Sequence, residues 1–106
     1  MPKYLVQAAY TSEGLKGLQK DKASGRKAAI ASAVESLGGK LETMYYCFGD
    51  YDVVVILDLP DNVAASALLL AVSSSGLVRP RTTPLLTVEE TDKALARSTS
   101  YRGPGR

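Results

Sequence analysis

The chain has 106 residues, with 13 Lys plus Arg against 11 Asp plus Glu, one Cys, and neither His nor Trp. That length fits one compact domain and leaves no room for a second. Without histidine, Ser-His-Asp and Cys-His machinery is excluded within one chain, and one Cys cannot build a zinc cage. No metal and no cofactor are expected.

A net charge of +2 is too small to argue for nucleic acid as a partner. The longest near-apolar stretch, residues 63–72, is broken by Ser66 and is too short to span a bilayer. Cys47 alone cannot form an intrachain disulfide, and Met1-Pro2-Lys3-Tyr4 lacks the apolar run of a signal peptide. The expected location is therefore the reducing cytoplasm, with no membrane partner.

Residues 3–10 alternate loosely, with Tyr4, Val6, Ala8 and Tyr10 on one face, and read as a strand. Thr11 or Ser12 offers an N-cap oxygen for a helix carrying Leu15 and Leu18. Residues 20–25 are polar and contain Gly25, so the helix should loosen there. Helical spacing resumes with Ile30, Ala33, Val34 and Leu37, and Gly38-Gly39 ends it. Residues 40–48 read as a second strand, with Leu41, Thr43, Tyr45 and Cys47 opposite Glu42, Met44, Tyr46 and Phe48. Gly49-Asp50-Tyr51 makes a turn into a third strand over residues 52–58, and the two strands form an antiparallel hairpin.

Pro60 stops that strand, Asp61 caps the next helix, and Ala65, Leu68, Leu69 and Val72 are its buried stripe. Residues 77–86 form a fourth strand that must lie at an edge or carry a bulge, because Pro80 and Pro84 sit inside it. Thr87 with Glu90 is a capping box for a last helix, and residues 98–106 form a tail without periodicity beyond a domain spanning 1–97. The order is the α+β, ferredoxin-like βαββαβ sandwich: a four-stranded antiparallel sheet with helices on one face, plus a C-terminal helix. Val53, Val55 and Leu57 fill one face of the third strand while Val54 and Ile56 fill the other. Helices cover only one sheet face, so the expectation is a homo-oligomer in which sheets pair as a dimeric α/β barrel.

The run Phe48-Gly49-Asp50-Tyr51-Asp52-Val53-Val54-Val55-Ile56 resembles the GYD domain family, with an Asp between the Gly and the Tyr. Pro2 to Ala8, Gly38-Gly39, Leu59 to Asn62, Gly76 to Arg79 and Thr82 to Glu90 resemble it too, so the likeness covers most of the chain. It implies a bacterial, ferredoxin-like, dimeric α/β-barrel protein and carries over no catalytic residue. Gly49 to Asp58, the helix after it, Gly76-Leu77-Val78 and Thr82-Thr83 are also similar to the ligand-binding domain of leucine-responsive regulators. That similarity implies effector sites between subunits near the turn after the second strand. No helix-turn-helix segment precedes the domain here, which leaves small-molecule sensing without direct DNA binding as the expectation.

The candidate ligand-binding residues are Tyr10, Tyr46, Asp50, Tyr51, Asp52 and Arg81. Tyrosine offers a large apolar face and a hydroxyl that needs a partner, which suits a pocket and a subunit interface alike. Asp50 and Asp52 flank Tyr51, where they would orient a ligand amine or a hard cation; alternatively Asp50 makes an Asx-turn bond and Asp52 pairs with an Arg. Arg79 and Arg81 share one face of the fourth strand, as a clamp for an anion or as guards against edge pairing. Arg26 and Lys27 place positive charge near a helix N-terminus, an unfavourable arrangement that hints at an anion nearby. Cys47 reads as a small buried hydrophobe.

Three functions are compatible with these residues: an oligomeric small-molecule-binding protein, a cofactor-free enzyme of the monooxygenase or isomerase type, and an assembly module. A cavity rich in Tyr would favour the enzyme, and one walled by Val, Leu and Ala would count against it.

Overall fold

The computed structural model describes residues Met1–Arg106. Seven elements follow in chain order: β1 (Lys3–Tyr10), α1 (Ser12–Ser36), β2 (Lys40–Tyr46), β3 (Val53–Asp58), α2 (Asn62–Ser74), β4 (Val78–Leu85) and α3 (Val88–Leu95). The strands form one antiparallel sheet in the order β2-β3-β1-β4, the α+β ferredoxin-like arrangement expected from the sequence. β4 is an edge strand, as its prolines require, and it pairs with β1 without a bulge. No helix is long and apolar enough to cross a membrane.

The core is the layer between the sheet and the helices. Tyr4, Val6 and Ala8 of β1 meet Val53, Val55 and Leu57 of β3, joined by Val34 of α1, Leu59, and Ala65 and Leu68 of α2. Burial of a large side chain contributes about 1.5–3 kcal/mol. Tyr4 can be buried because its hydroxyl donates to Asn62 Oδ1 at 2.6 Å, which also pins the start of α2 to β1. α1 leans on β2 and β1, while α2 leans on β4, so the two helices stand apart over the sheet.

The start of α1 is fixed by Thr11. Its hydroxyl accepts from the Gly14 N–H and lies 3.2 Å from the carbonyls of Gly76 and Leu77, tying the helix N-terminus to the entry of β4. The approach is so close that a Cβ on Gly14 would collide with the Leu77 carbonyl oxygen, which is why glycine stands there. Thr87 and Glu90 form the capping box reciprocally, and Asp61 caps α2 through the Ala64 N–H.

Three local expectations are corrected. A β-bulge between Leu41 and Thr43 breaks the period of two in β2, so Leu41, Met44 and Tyr46 share the helix side while Thr43 and Tyr45 turn to the other. The connection from β2 to β3 runs over residues 47–52 rather than forming a tight turn. Cys47 is consequently exposed at the strand end, its thiol 3.3 Å from the Tyr51 carbonyl, and is not a core residue.

The loosening expected over residues 20–25 is a kink at Lys22, whose φ of 65° and ψ of 166° interrupt α1, while Gly25 itself is helical. That backbone region suits glycine alone and costs a side-chain-bearing residue on the order of 1–3 kcal/mol. Glycine loses about 0.5–1 kcal/mol through chain entropy, so Lys22→Gly should stabilise the fold by roughly 1 kcal/mol. Urea unfolding checks this, and an unchanged or lowered midpoint would contradict the strain.

Candidate functional site

Between the splayed helices and the sheet lies a cavity of about 410 Å³, in the size range of small-molecule sites. Its existence follows from small residues on inward positions: Gly14, Gly17, Ala29 and Ala33 of α1, Ala71 of α2 and Ala8 of β1 all line it. A Cβ at Gly17 would meet nothing within 4 Å. Seventeen of its twenty-three lining residues are hydrophobic, so the walls are chiefly aliphatic.

The polar groups gather where β1 ends and β3 begins. Tyr10 lines the cavity, and its hydroxyl lies 3.5 Å from that of Tyr46, which β2 presents beside Val53. Arg26 and Asp21, on either side of the α1 kink, also line it and form a loose ion pair at 3.8 Å. Burial raises the Tyr46 phenol well above its ordinary pKa, and the Tyr10 hydroxyl adds to the shift, while the Arg26 charge partly opposes it. Tyr46 therefore stays protonated and offers an O–H donor rather than a base.

The six residues singled out in the sequence divide between two faces of the sheet. Tyr10 and Tyr46 belong to the cavity side. Tyr51 and Arg81 meet on the opposite face, where the guanidinium donates to the Tyr51 hydroxyl at 3.3 Å. Asp52 forms no Arg pair: its carboxylate accepts the Tyr10 backbone N–H at 2.8 Å and its own N–H donates to the Ala8 carbonyl. Asp50 is exposed in the loop and forms no Asx-turn bond. No three His, Cys, Asp or Glu side chains come together in a way that would hold a metal ion. Arg26 and Asp21 complete the polar end of the cavity, and the misplaced charge of Arg26 in the sequence was the signal for them.

The second face has its own organisation. Leu5, Val54, Ile56 and Tyr45 occupy its middle with Gln7, by the strand register. Lys3 bridges Asp58 and Glu42 at one margin, and these two carboxylates hold its ammonium pKa above the ordinary value. Arg79 and Arg81 stand at the other margin. The layout is an apolar centre with a charged rim.

A family model described as GYD domain matches residues 4–95, and the chain belongs to the GYD domain family. No curated protein matches it.

Asp52 joins the end of β1 to the β2–β3 connection through its two hydrogen bonds, to the Tyr10 N–H and the Ala8 carbonyl. Asp52→Ala leaves the Tyr10 N–H without its partner and should cost about 1–3 kcal/mol. Chemical denaturation with amide exchange at Tyr10 measures this, and wild-type stability together with slow Tyr10 exchange would contradict it.

Proposed function

We propose that this GYD domain is a small-molecule-binding protein that works as a homo-oligomer in the cytoplasm, with its ligand held between α1, α2 and the sheet. The observation that carries the reading is the cavity of about 410 Å³, aliphatic along its walls and polar at one end. A partly open hollow of that size lined by Val, Leu and Ala leaves apolar surface in water, which a bound apolar body would cover.

The enzyme alternative has less support. The cavity holds one Tyr in its lining, so the wall is not tyrosine-rich; the neighbouring Tyr46 is kept protonated, and the one carboxylate there, Asp21, is paired with Arg26. Orientation of a ligand oxygen by hydroxyl donors suits binding better.

Oligomerisation is supported by the second sheet face and by α3. No helix packs over Leu5, Val54 and Ile56, and no residue of α3 is buried, leaving Val88 at 81% and Leu95 at 77% exposure. The radius of gyration is 16.7 Å, against about 13 Å for a compact chain of this length. A second copy facing the same sheet would bury the apolar centre and leave the charged rims at the margin.

Native mass spectrometry of protein purified gently from its host tests both halves. The expected spectrum is a dimer or larger oligomer carrying a discrete extra mass per subunit. Ala71→Trp, which puts an indole at an exposed position of the cavity wall, should lose that mass and keep the subunit count. A monomer would contradict the sheet pairing, and an oligomer without added mass would contradict the binding.

A further inference from the structure

We infer that the cavity selects an amphipathic monoanion, an acyl chain or ring bearing one carboxylate, with the carboxylate on Arg26 and the apolar body lying toward Leu57 and Leu68. The inference rests on the cavity being the binding site and goes on to assign the class of ligand.

The cavity is graded along its length. Tyr10, Arg26 and Asp21 lie at the end where β3 begins, and Tyr46 adjoins them through the Tyr10 hydroxyl. Leu57 and Leu68 line it farther along, and the rise of β3 from Val53 to Leu57 sets that span at about 13 Å. An unbranched chain such as octanoate fits such a span. A ligand charged at both ends would strand one charge against the leucines.

The sign of the head group follows from the charges. Arg26 is the less exposed member of its ion pair, with its side chain at 29% against 48% for Asp21. At 3.8 Å the pair occupies little of a guanidinium that carries five N–H donors in a planar fork, a shape that matches a carboxylate. Both side chains line the cavity, and Arg26 is the more buried of the two, so the Asp21 carboxylate is the one better placed to turn toward water when an anion takes its place. Around them α1 carries Lys16, Lys20, Lys22 and Lys27 against Glu13, which pairs with Lys16, and Glu35 near the far end of the helix. This field draws in an anion and repels a cation. Tyr46 backs this end from outside the lining, its hydroxyl 3.5 Å from that of Tyr10, which does line the cavity.

The test is calorimetric titration of the full-length protein, freed of small molecules by unfolding and refolding, with octanoate, octanamide and octylamine. Octanoate should bind about tenfold or more tighter than octanamide, the gain of a charge-assisted bond over a neutral one, and octylamine should bind most weakly. Arg26→Gln should abolish the preference for octanoate, lowering octanoate affinity by a larger factor than octanamide affinity. Tyr46→Phe, which keeps the ring, should reduce octanoate affinity by a smaller factor and serves as the second probe of the polar end. Equal binding of octanoate and octanamide, or a preference that survives Arg26→Gln, would overturn the anion assignment and leave the cavity reading standing. Octanoate binding undiminished in Ala71→Trp would place the ligand elsewhere and overturn the cavity reading itself. Absence of saturable binding by all three probes would overturn both.

Discussion

Two helices lean on the same face of one sheet toward opposite sides of it, and the hollow left between them organises the rest of the molecule. A four-stranded sheet offers more surface than α1 and α2 cover when one leans on β2 and the other on β4. The core is accordingly confined to ten buried side chains, centred on Tyr4, Val6, Val55 and Leu57. Filling the gap would need larger residues at Gly14, Gly17, Ala29, Ala33 and Ala71. At Gly14 the backbone of Leu77 forbids this, but at Gly17 nothing does. The space is therefore not a steric necessity of the fold. It is a consequence of which residues the chain places on its inner helix faces.

The constraint also explains the unequal treatment of the two ends of the cavity. At the far end, hydrophobic contact between β3 and α2 is continuous through Leu57, Ala65 and Leu68. At the near end, α1 kinks at Lys22, and the polar residues on either side of the kink, Asp21 and Arg26, come to the cavity lining. Backbone strain of this kind persists where the surrounding structure holds it in place, and such positions cluster around functional sites. The kink, the loose Arg26–Asp21 pair and the Tyr10–Tyr46 hydroxyls thus form one neighbourhood.

Much of this fold could be read from residue patterns because they report local preferences. Thr11, Asp61 and Thr87 cap their helices through side-chain oxygens, and the alternation in β1 and β3 sorts onto common faces the residues that the structure buries together. What escaped was long-range. The bulge after Leu41 inverts the later part of β2, and no period in the sequence records an inserted residue. Asp52 was read as a ligand or ion-pair group, whereas its partner is a main-chain N–H of Tyr10, forty-two positions away in sequence. The aromatic and acidic residues around the turn looked like one site, but they divide between opposite sheet faces once the register is known. Arg26 was legible only as an electrostatic oddity until the kink gave it a cavity to face.

A ligand in the space between helices and sheet should be present in the protein as the cell makes it. Methyl-selective NMR of host-purified protein, compared with the same protein after complete unfolding and refolding in ligand-free buffer, reads this site by site. The account expects the methyls of Val6, Val55 and Leu68, which line the cavity, to differ between the two samples. Those of Leu5, Val54 and Ile56, on the second face, should coincide. Superimposable cavity methyls, or differences confined to the second face, would contradict it.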